Sequence, residues 1–306
     1  MRALQATGDT ARLVEFTDIP EPVPAAHEAL IRVEAFSLNR PDYLYLAMPG
    51  TAYRPGIDAV GVVECPAADG SGPRAGQRVV MHVPSGGAAA ERITVPAARL
   101  AAVPGTLASE VAACLPLAGM VALRLLRAAG PLKGLNLLAT GATGGVGQFL
   151  VQLAVHEGAA ITVVAREHDP WAHLARAGAT VVHDVDHLPP GGFDVVLESV
   201  GGRLGSEAAL RLRTGGLFLW YGQASAEPLT LDFFELFQGG QSMTLRHFVY
   251  SGLADDREDL DLLLDLAARG VLQVEIGHRG DWGQTADVLD SISRGELRGK
   301  AVLEVK

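Results

Sequence analysis

LNLLATGATGGVGQFLVQLA, residues 135–154, holds the strand, turn and helix start that decide the fold. A continuously apolar segment runs into a glycine-rich turn. The turn opens a segment with Val146, Leu150, Leu153 and Ala154 on one helical face. In that context GATGGVG (141–147) reads as a dinucleotide-binding turn, although its spacing is GxxGxxG instead of the strict GxGxxG. Gly141 permits the tight turn, Gly144 lets the backbone approach a pyrophosphate, and Gly147 lets the helix pack close to the strand. Thr143, Gly144, Gly145 and Val146 are the predicted phosphate contacts. Gly145 and Val146 donate main-chain N–H groups at the positive end of the helix dipole.

Working outward, strands alternate with helices as a parallel sheet requires: LNLLAT (135–140), AITVVA (160–165), TVVHD (180–184), DVVLES (194–199) and GLFLWYG (216–222). The expected class is α/β, with a doubly wound Rossmann domain spanning 116–274. Residues 1–115 read instead as a β-rich domain of short segments such as EALIRVEAF, DAVGVVE and QRVVMHV, broken by Pro and Gly. The tail, strand-like in VLQVEIG and ending in GKAVLEVK, is expected to complete that first domain over 275–306. LTLDFFELF and MTLRHFVY are apolar enough to form an edge strand that pairs across a two-fold axis, so a homodimer is expected.

Parallel sheets present ligand loops at the carboxyl ends of their strands. Ser199, Val200 and Gly201 after the fourth strand, and Tyr221 and Gly222 one strand later, are therefore candidate cofactor contacts. At the end of the second strand stands Arg166, 19 positions after Gly147, where an acidic residue would take the ribose hydroxyls of NAD. A guanidinium there can hold the 2′-phosphate of NADP, so NADPH is the expected cofactor. The adjacent Glu167 would repel that phosphate if it turned inward, and the other reading of Arg166 is a solvated surface charge.

A formal charge of −10 argues against a nucleic-acid binder. With no apolar run near ~20 residues, no membrane span is expected, and the chain reads as cytoplasmic. Cys65 and Cys114, the only cysteines, are too few for a disulfide framework and read as core fillers.

Taken in order, LNRPDYLYLAMPG, PGIDAVGVVE, AGQRVV, GGAAAERITVP, LPLAGMVAL, TGATGGVGQFLVQLA, DVVLESVGG, LRTGGLFLWYG and GELRGKAVLEV resemble the medium-chain dehydrogenase/reductase superfamily. Within it they are similar to the zinc-independent quinone oxidoreductase-like and enoyl reductase-like members. The resemblance implies a GroES-like first domain beside the Rossmann domain. It also implies that zinc is absent, because Asn39, Ile57 and Ala118 stand where zinc-dependent members carry Cys, His and Cys. No other metal site is expected from the scattered histidines.

Without a Lewis acid, the suitable substrates are those in which hydride adds to a conjugated position, namely quinones and α,β-unsaturated carbonyl compounds. The resemblance places Asn39 beside the nicotinamide as an orienting donor. Asp42 matches an acidic motif position that fixes the loop, and Tyr53, Tyr45 and Tyr43 are phenols available as proton donors. His247 and Phe248 fall where the family often lines the nicotinamide pocket. Two other functions fit the same sequence: a non-zinc alcohol dehydrogenase, and a silent NADPH-binding or sensing protein.

Overall fold

The computed structural model describes all residues except 240–241 and 251–255. The chain divides into two compact units, Met1–Met120 with Gly252–Lys306, and Val121–Ser251. The division falls at 120 and 252 instead of 115 and 275. The helix Asp256–Ala268 therefore belongs with the β-rich unit. Its Leu263 packs where Gly119 has no side chain, and its Asp256 carboxylate hydrogen-bonds the buried His82 Nδ1 at 2.9 Å.

In the unit 121–251, six parallel strands lie in the order Thr180–Val182, Ala160–Val164, Asn136–Thr140, Phe193–Glu198, Leu212–Trp220, Met243–His247. In chain order this is 3-2-1-4-5-6, the doubly wound arrangement, with its reversal between Asn136–Thr140 and Phe193–Glu198. Both strands have apolar centres, Leu137–Ala139 and Val195–Leu197, buried on both faces, as helices covering a parallel sheet require. Phe149 and Phe218 are fully buried, each worth roughly 1.5–3 kcal/mol of transfer free energy.

The other unit is built on a seven-stranded sheet. Glu28–Leu38 pairs antiparallel with Asp58–Cys65, with Arg92–Pro96 and with the C-terminal strand Lys300–Glu304. Phe36, Ile31, Met81 and Leu100 fill its core.

Three expectations change. DFFELF forms the helix Phe233–Gln238 and not a strand, because Asp232 caps it by accepting from the Phe234 and Glu235 N–H groups. VLQVE lies outside the strand Ile276–Asp281, which pairs with Lys300–Glu304 instead. Cys65 is exposed at the end of its strand; only Cys114 is a core filler. Burial pushes the Cys114 thiol up to about 12, so it stays protonated. Among the described residues, no helix is long and apolar enough to cross a membrane.

Candidate active site

The strand Asn136–Thr140 ends at the sheet's reversal, and the glycine turn follows directly. Gly141 has φ +64, and a Cβ there would press on the Ser199 hydroxyl. A Cβ on Gly147 would overlap the Ala142 backbone, so only glycine lets the helix Gly147–His156 start so close to the strand. That helix begins at Val146 without a side-chain cap. An uncapped first turn beside residues with no Cβ suits the pyrophosphate of a dinucleotide, so these residues fit the expected cofactor.

Thr143 is buried, and its Oγ1 donates to Asp169 Oδ2 at 2.9 Å. The same carboxylate holds Arg166, with Nη2 at 3.1 Å from Oδ1 and Nε at 3.4 Å from Oδ2. Arg166 is thus neither a merely solvated charge nor committed to a phosphate. Asp169 binds one edge of its guanidinium and, through Thr143, ties it to the glycine turn.

On the other side of the reversal, the buried Glu198 organises the loop of candidate contacts. Its Oε1 accepts from Thr140 Oγ1 (3.1 Å), Val200 N (2.6 Å) and Gly201 N (2.8 Å). Burial pushes its carboxyl up, and among the described residues Oε2 has no hydrogen-bond partner. The Val200 and Gly201 amides are therefore held by the protein, and the loop's carbonyls are engaged too: Ser199 O accepts from Ala224 N at 2.9 Å and Val200 O from Ser225 N at 2.8 Å, so the loop meets a ligand as a preformed, internally bonded edge. Ser199 N donates to Thr140 Oγ1 at 3.0 Å, and Ser199 also hydrogen-bonds the Tyr221 side chain, whose hydroxyl burial pushes up to about 12. A Cβ on Gly222 would crowd Ser199, so these two loops touch. Phe248, half-buried, donates its N–H to Trp220 O at 2.8 Å, and His247 lies exposed with its ring 5.5 Å from that of Trp220.

In the β-rich unit a second polar centre forms around Asn39, which precedes the helix Arg40–Leu46. Asn39 N donates to Asp42 Oδ2 at 2.9 Å and Asp42 N donates back to Asn39 O at 3.0 Å; with Pro41 in the first turn, these bonds start the helix. Asp42 is fully buried and also accepts from Gly56 N and Tyr53 Oη, each at 2.9 Å. Burial is the largest influence on its carboxyl, pushing it up to about 6.

Tyr53 departs from its expected part as proton donor. Its hydroxyl hydrogen is committed to Asp42, and burial together with that carboxylate pushes the phenol well above its ordinary value. A phenol so held is a weak acid and serves to brace the loop. Tyr45, its ring 5.2 Å from that of Tyr53, stays exposed.

The carboxamide of Asn39 is held at both ends. Nδ2 donates to Asp58 Oδ2 at 2.8 Å, and Oδ1 accepts from Lys300 Nζ at 2.5 Å. Asp58 also accepts from Leu117 N at 3.0 Å and Ser37 Oγ at 3.3 Å, with Lys300 Nζ 3.5 Å away. Sequence reasoning missed Asp58, Lys300, Glu198 and Asp169. For Asp58, Lys300 and Glu198 the available signal was a charge inside a largely apolar strand, as in GIDAVGVV, GKAVLEV and DVVLES, because a buried strand carries a charge only with a partner; Asp169, in a loop, offered no such signal.

One trio of acids, Asp184, Asp186 and Glu207, comes close enough to hold a metal among the described residues. Arg203 and Arg211 already pair with Asp186, and Arg203 with Glu207.

Comparison with known proteins gives two family matches: "Alcohol dehydrogenase GroES-like domain" over residues 25–105 and "Zinc-binding dehydrogenase" over residues 145–269. The chain is 27% identical to a quinone oxidoreductase of Pseudomonas aeruginosa over 310 residues, 95% of each protein. It is 28% identical to prostaglandin reductase-3 of Bos taurus over 86% of this chain and 75% of that protein. The native structure of a mycobacterial protein complexed with NADPH superposes with a TM-score of 0.85 at 26% identity, covering 99% of both chains.

Proposed function

Because the chain belongs to the medium-chain dehydrogenase/reductase superfamily, in its quinone oxidoreductase-like branch, we propose that it is an NADPH-dependent, zinc-independent reductase of a quinone or of the conjugated C=C of an α,β-unsaturated carbonyl compound. The observation that carries this reading is the pairing of an uncapped glycine turn at the sheet's reversal with a carboxamide at the first zinc-ligand position. The Pseudomonas relative is named a quinone oxidoreductase and the bovine one a prostaglandin reductase, which supports this reading.

When bound, NADPH supplies the hydride. The turn 141–147 would hold its pyrophosphate, and Arg166, paired with Asp169, would also meet the 2′-phosphate. Ser199, Val200, Gly201, Tyr221, Gly222 and Phe248 bound the remainder of the cofactor site. Hydride arriving at a conjugated carbon places negative charge on the substrate oxygen, which needs a donor. One N–H of Asn39 Nδ2 is held by Asp58, and the second is the donor this reading assigns to the substrate oxygen. The proton comes from Tyr45 or water, since Tyr53 is engaged by Asp42.

Following NADPH absorbance with chelator-treated protein tests this reading. An ortho-quinone, a simple enone and an enoyl thioester serve as acceptors, with NADH as control. Turnover that survives chelation supports it, and the preferred acceptor names the substrate class. NADPH binding with no acceptor consumed would favour the silent binding protein, and turnover that disappears with chelation would overturn zinc independence.

A second copy of the chain belongs to the same proposal, together with a cytoplasmic location. Met243–His247 is an edge strand, and Leu245 and Val249 on it or just after it are exposed, as are Phe233, Phe234 and Phe237, each about two-thirds exposed or more. Exposed apolar groups on and after an edge strand, with three more on the helix Phe233–Gln238, suit an isologous dimer. Light scattering should give twice the chain mass, and Phe237→Asp should reduce it. A monomer for the unaltered chain at assay concentration would refute the dimer.

A further inference from the structure

We propose that Lys300 is a positioning residue whose ammonium orients and polarises the Asn39 carboxamide, so that a fixed cation acts on the site at one remove in place of a metal. The proposal rests on the reductase reading above. Lys300 is 2% exposed and Asp58 fully buried, and a buried ammonium needs several compensating contacts. In an ordinary buried ion pair the ammonium would sit against the carboxylate at roughly 2.7–2.9 Å. Here it is 3.5 Å from Asp58 and 2.5 Å from the neutral oxygen of Asn39. The carboxylate is occupied instead by Asn39 Nδ2, Leu117 N and Ser37 Oγ.

This arrangement admits one orientation of the amide. A flip would set Nδ2 against the ammonium and Oδ1 against the carboxylate, two repulsive contacts in place of two attractive ones. Drawing electron density towards Oδ1 also strengthens the remaining N–H as a donor, since hydrogen bonds in a chain polarise one another. The placement adds to the argument. Asp58 adjoins Ile57 and Leu117 adjoins Ala118, so the cluster ties together the three segments whose counterparts carry the zinc ligands. A lysine on the C-terminal strand thus sets a cation, balanced by Asp58, against the amide oxygen at that spot.

A double-mutant cycle on the full chain tests this, with Lys300→Met, Asn39→Ala and the pair, plus Lys300→Gln, which keeps a hydrogen bond to Oδ1 without the charge. Hydride transfer is followed at saturating NADPH and acceptor, and denaturant unfolding is measured alongside. Lys300→Met is expected to lower kcat about 10- to 100-fold, in the range seen when one oxyanion donor is lost. The KM for NADPH should stay within about threefold, and Lys300→Gln should fall between Lys300→Met and the unaltered chain. On the Asn39→Ala background the further loss from Lys300→Met should shrink to about threefold or less, because one group acts through the other. Losses that multiply independently would overturn the proposal, as would a Lys300→Met chain that is less stable but has unchanged kcat. If Lys300→Met does not fold, Lys300→Gln decides, and a kcat equal to that of the unaltered chain removes the role of the charge. If the unaltered chain consumes no NADPH with any acceptor, the reductase reading falls. The cycle on unfolding then decides the link between Lys300 and Asn39, and additive effects there sink it.

Discussion

The glycine turn at 141–147 and the Asn39 centre are built from opposite materials. The turn is made of backbone: Gly141 at φ +64, Gly147 against the Ala142 main chain, and a helix start with no side-chain cap. The Asn39 centre is made of side chains, with Ser37, Asn39, Asp58 and Lys300 buried and bonded to one another. A backbone site should fail when volume is added. A charge-built site should fail when one charge is removed, even if volume is preserved.

The largest expected effect lies in the charge-built centre. Asp58→Ala strands the Lys300 ammonium and leaves Asn39 Nδ2 and Leu117 N unpaired. It should cost about 3–5 kcal/mol of stability, measured by denaturant unfolding. A loss under about 1 kcal/mol would mean that water reaches the cluster, and the contrast between the two regions would disappear.

Next in size is the pH dependence set by Asp42. Its carboxyl is raised from 3.8 to about 6, so the folded chain holds this proton more tightly than the unfolded chain does. Its contribution is therefore fully present below about pH 4 and declines as pH rises through about 6, by about 3 kcal/mol over that window at 1.36 kcal/mol per unit. Comparing unfolding at both ends of the window for the unaltered chain and for Asp42→Asn isolates this part. The variant should lack it, and an unchanged slope would remove Asp42 as its source.

In the backbone site, Gly147→Ala should cost about 1–3 kcal/mol and weaken NADPH binding, because the added methyl meets the Ala142 backbone, which cannot turn aside. Unchanged cofactor affinity in a fluorescence titration would show that the close approach is dispensable. The smallest effect is also the most selective. Arg166→Ala should weaken NADPH by about tenfold and leave NADH nearly unchanged, in line with a charge-assisted hydrogen bond shared with Asp169. An equal loss for both cofactors would remove the 2′-phosphate role.

What could be read ahead of the structure follows the same division. Residues 141–147 are contiguous, and their effect depends on dihedral freedom and lack of volume, which residue type states directly. The loops after the parallel strands were legible for a similar reason. Where they end is set by strand periodicity, so Ser199, Val200, Gly201, Tyr221 and Gly222 fall at the carboxyl edge as expected. The helix at Phe233–Gln238 was misread because its apolar residues suggested an edge strand that pairs across a two-fold axis. The cap at Asp232 decided otherwise, and the three phenylalanines remain exposed.

Residue order alone thus settled the α/β class, the parallel alternation and the position of a glycine turn between strand and helix, since these depend on local periodicity and on glycine. Only the tertiary structure decided what Asn39, Tyr53 and Arg166 can do. Lys300 lies 261 positions from Asn39 and Asp58 lies 19 from it. Asp42 takes the hydrogen of Tyr53, and Asp169 takes one edge of Arg166. The donor strength and orientation of a side chain depend on the partners packed against it, and the pairing of distant strands chooses those partners.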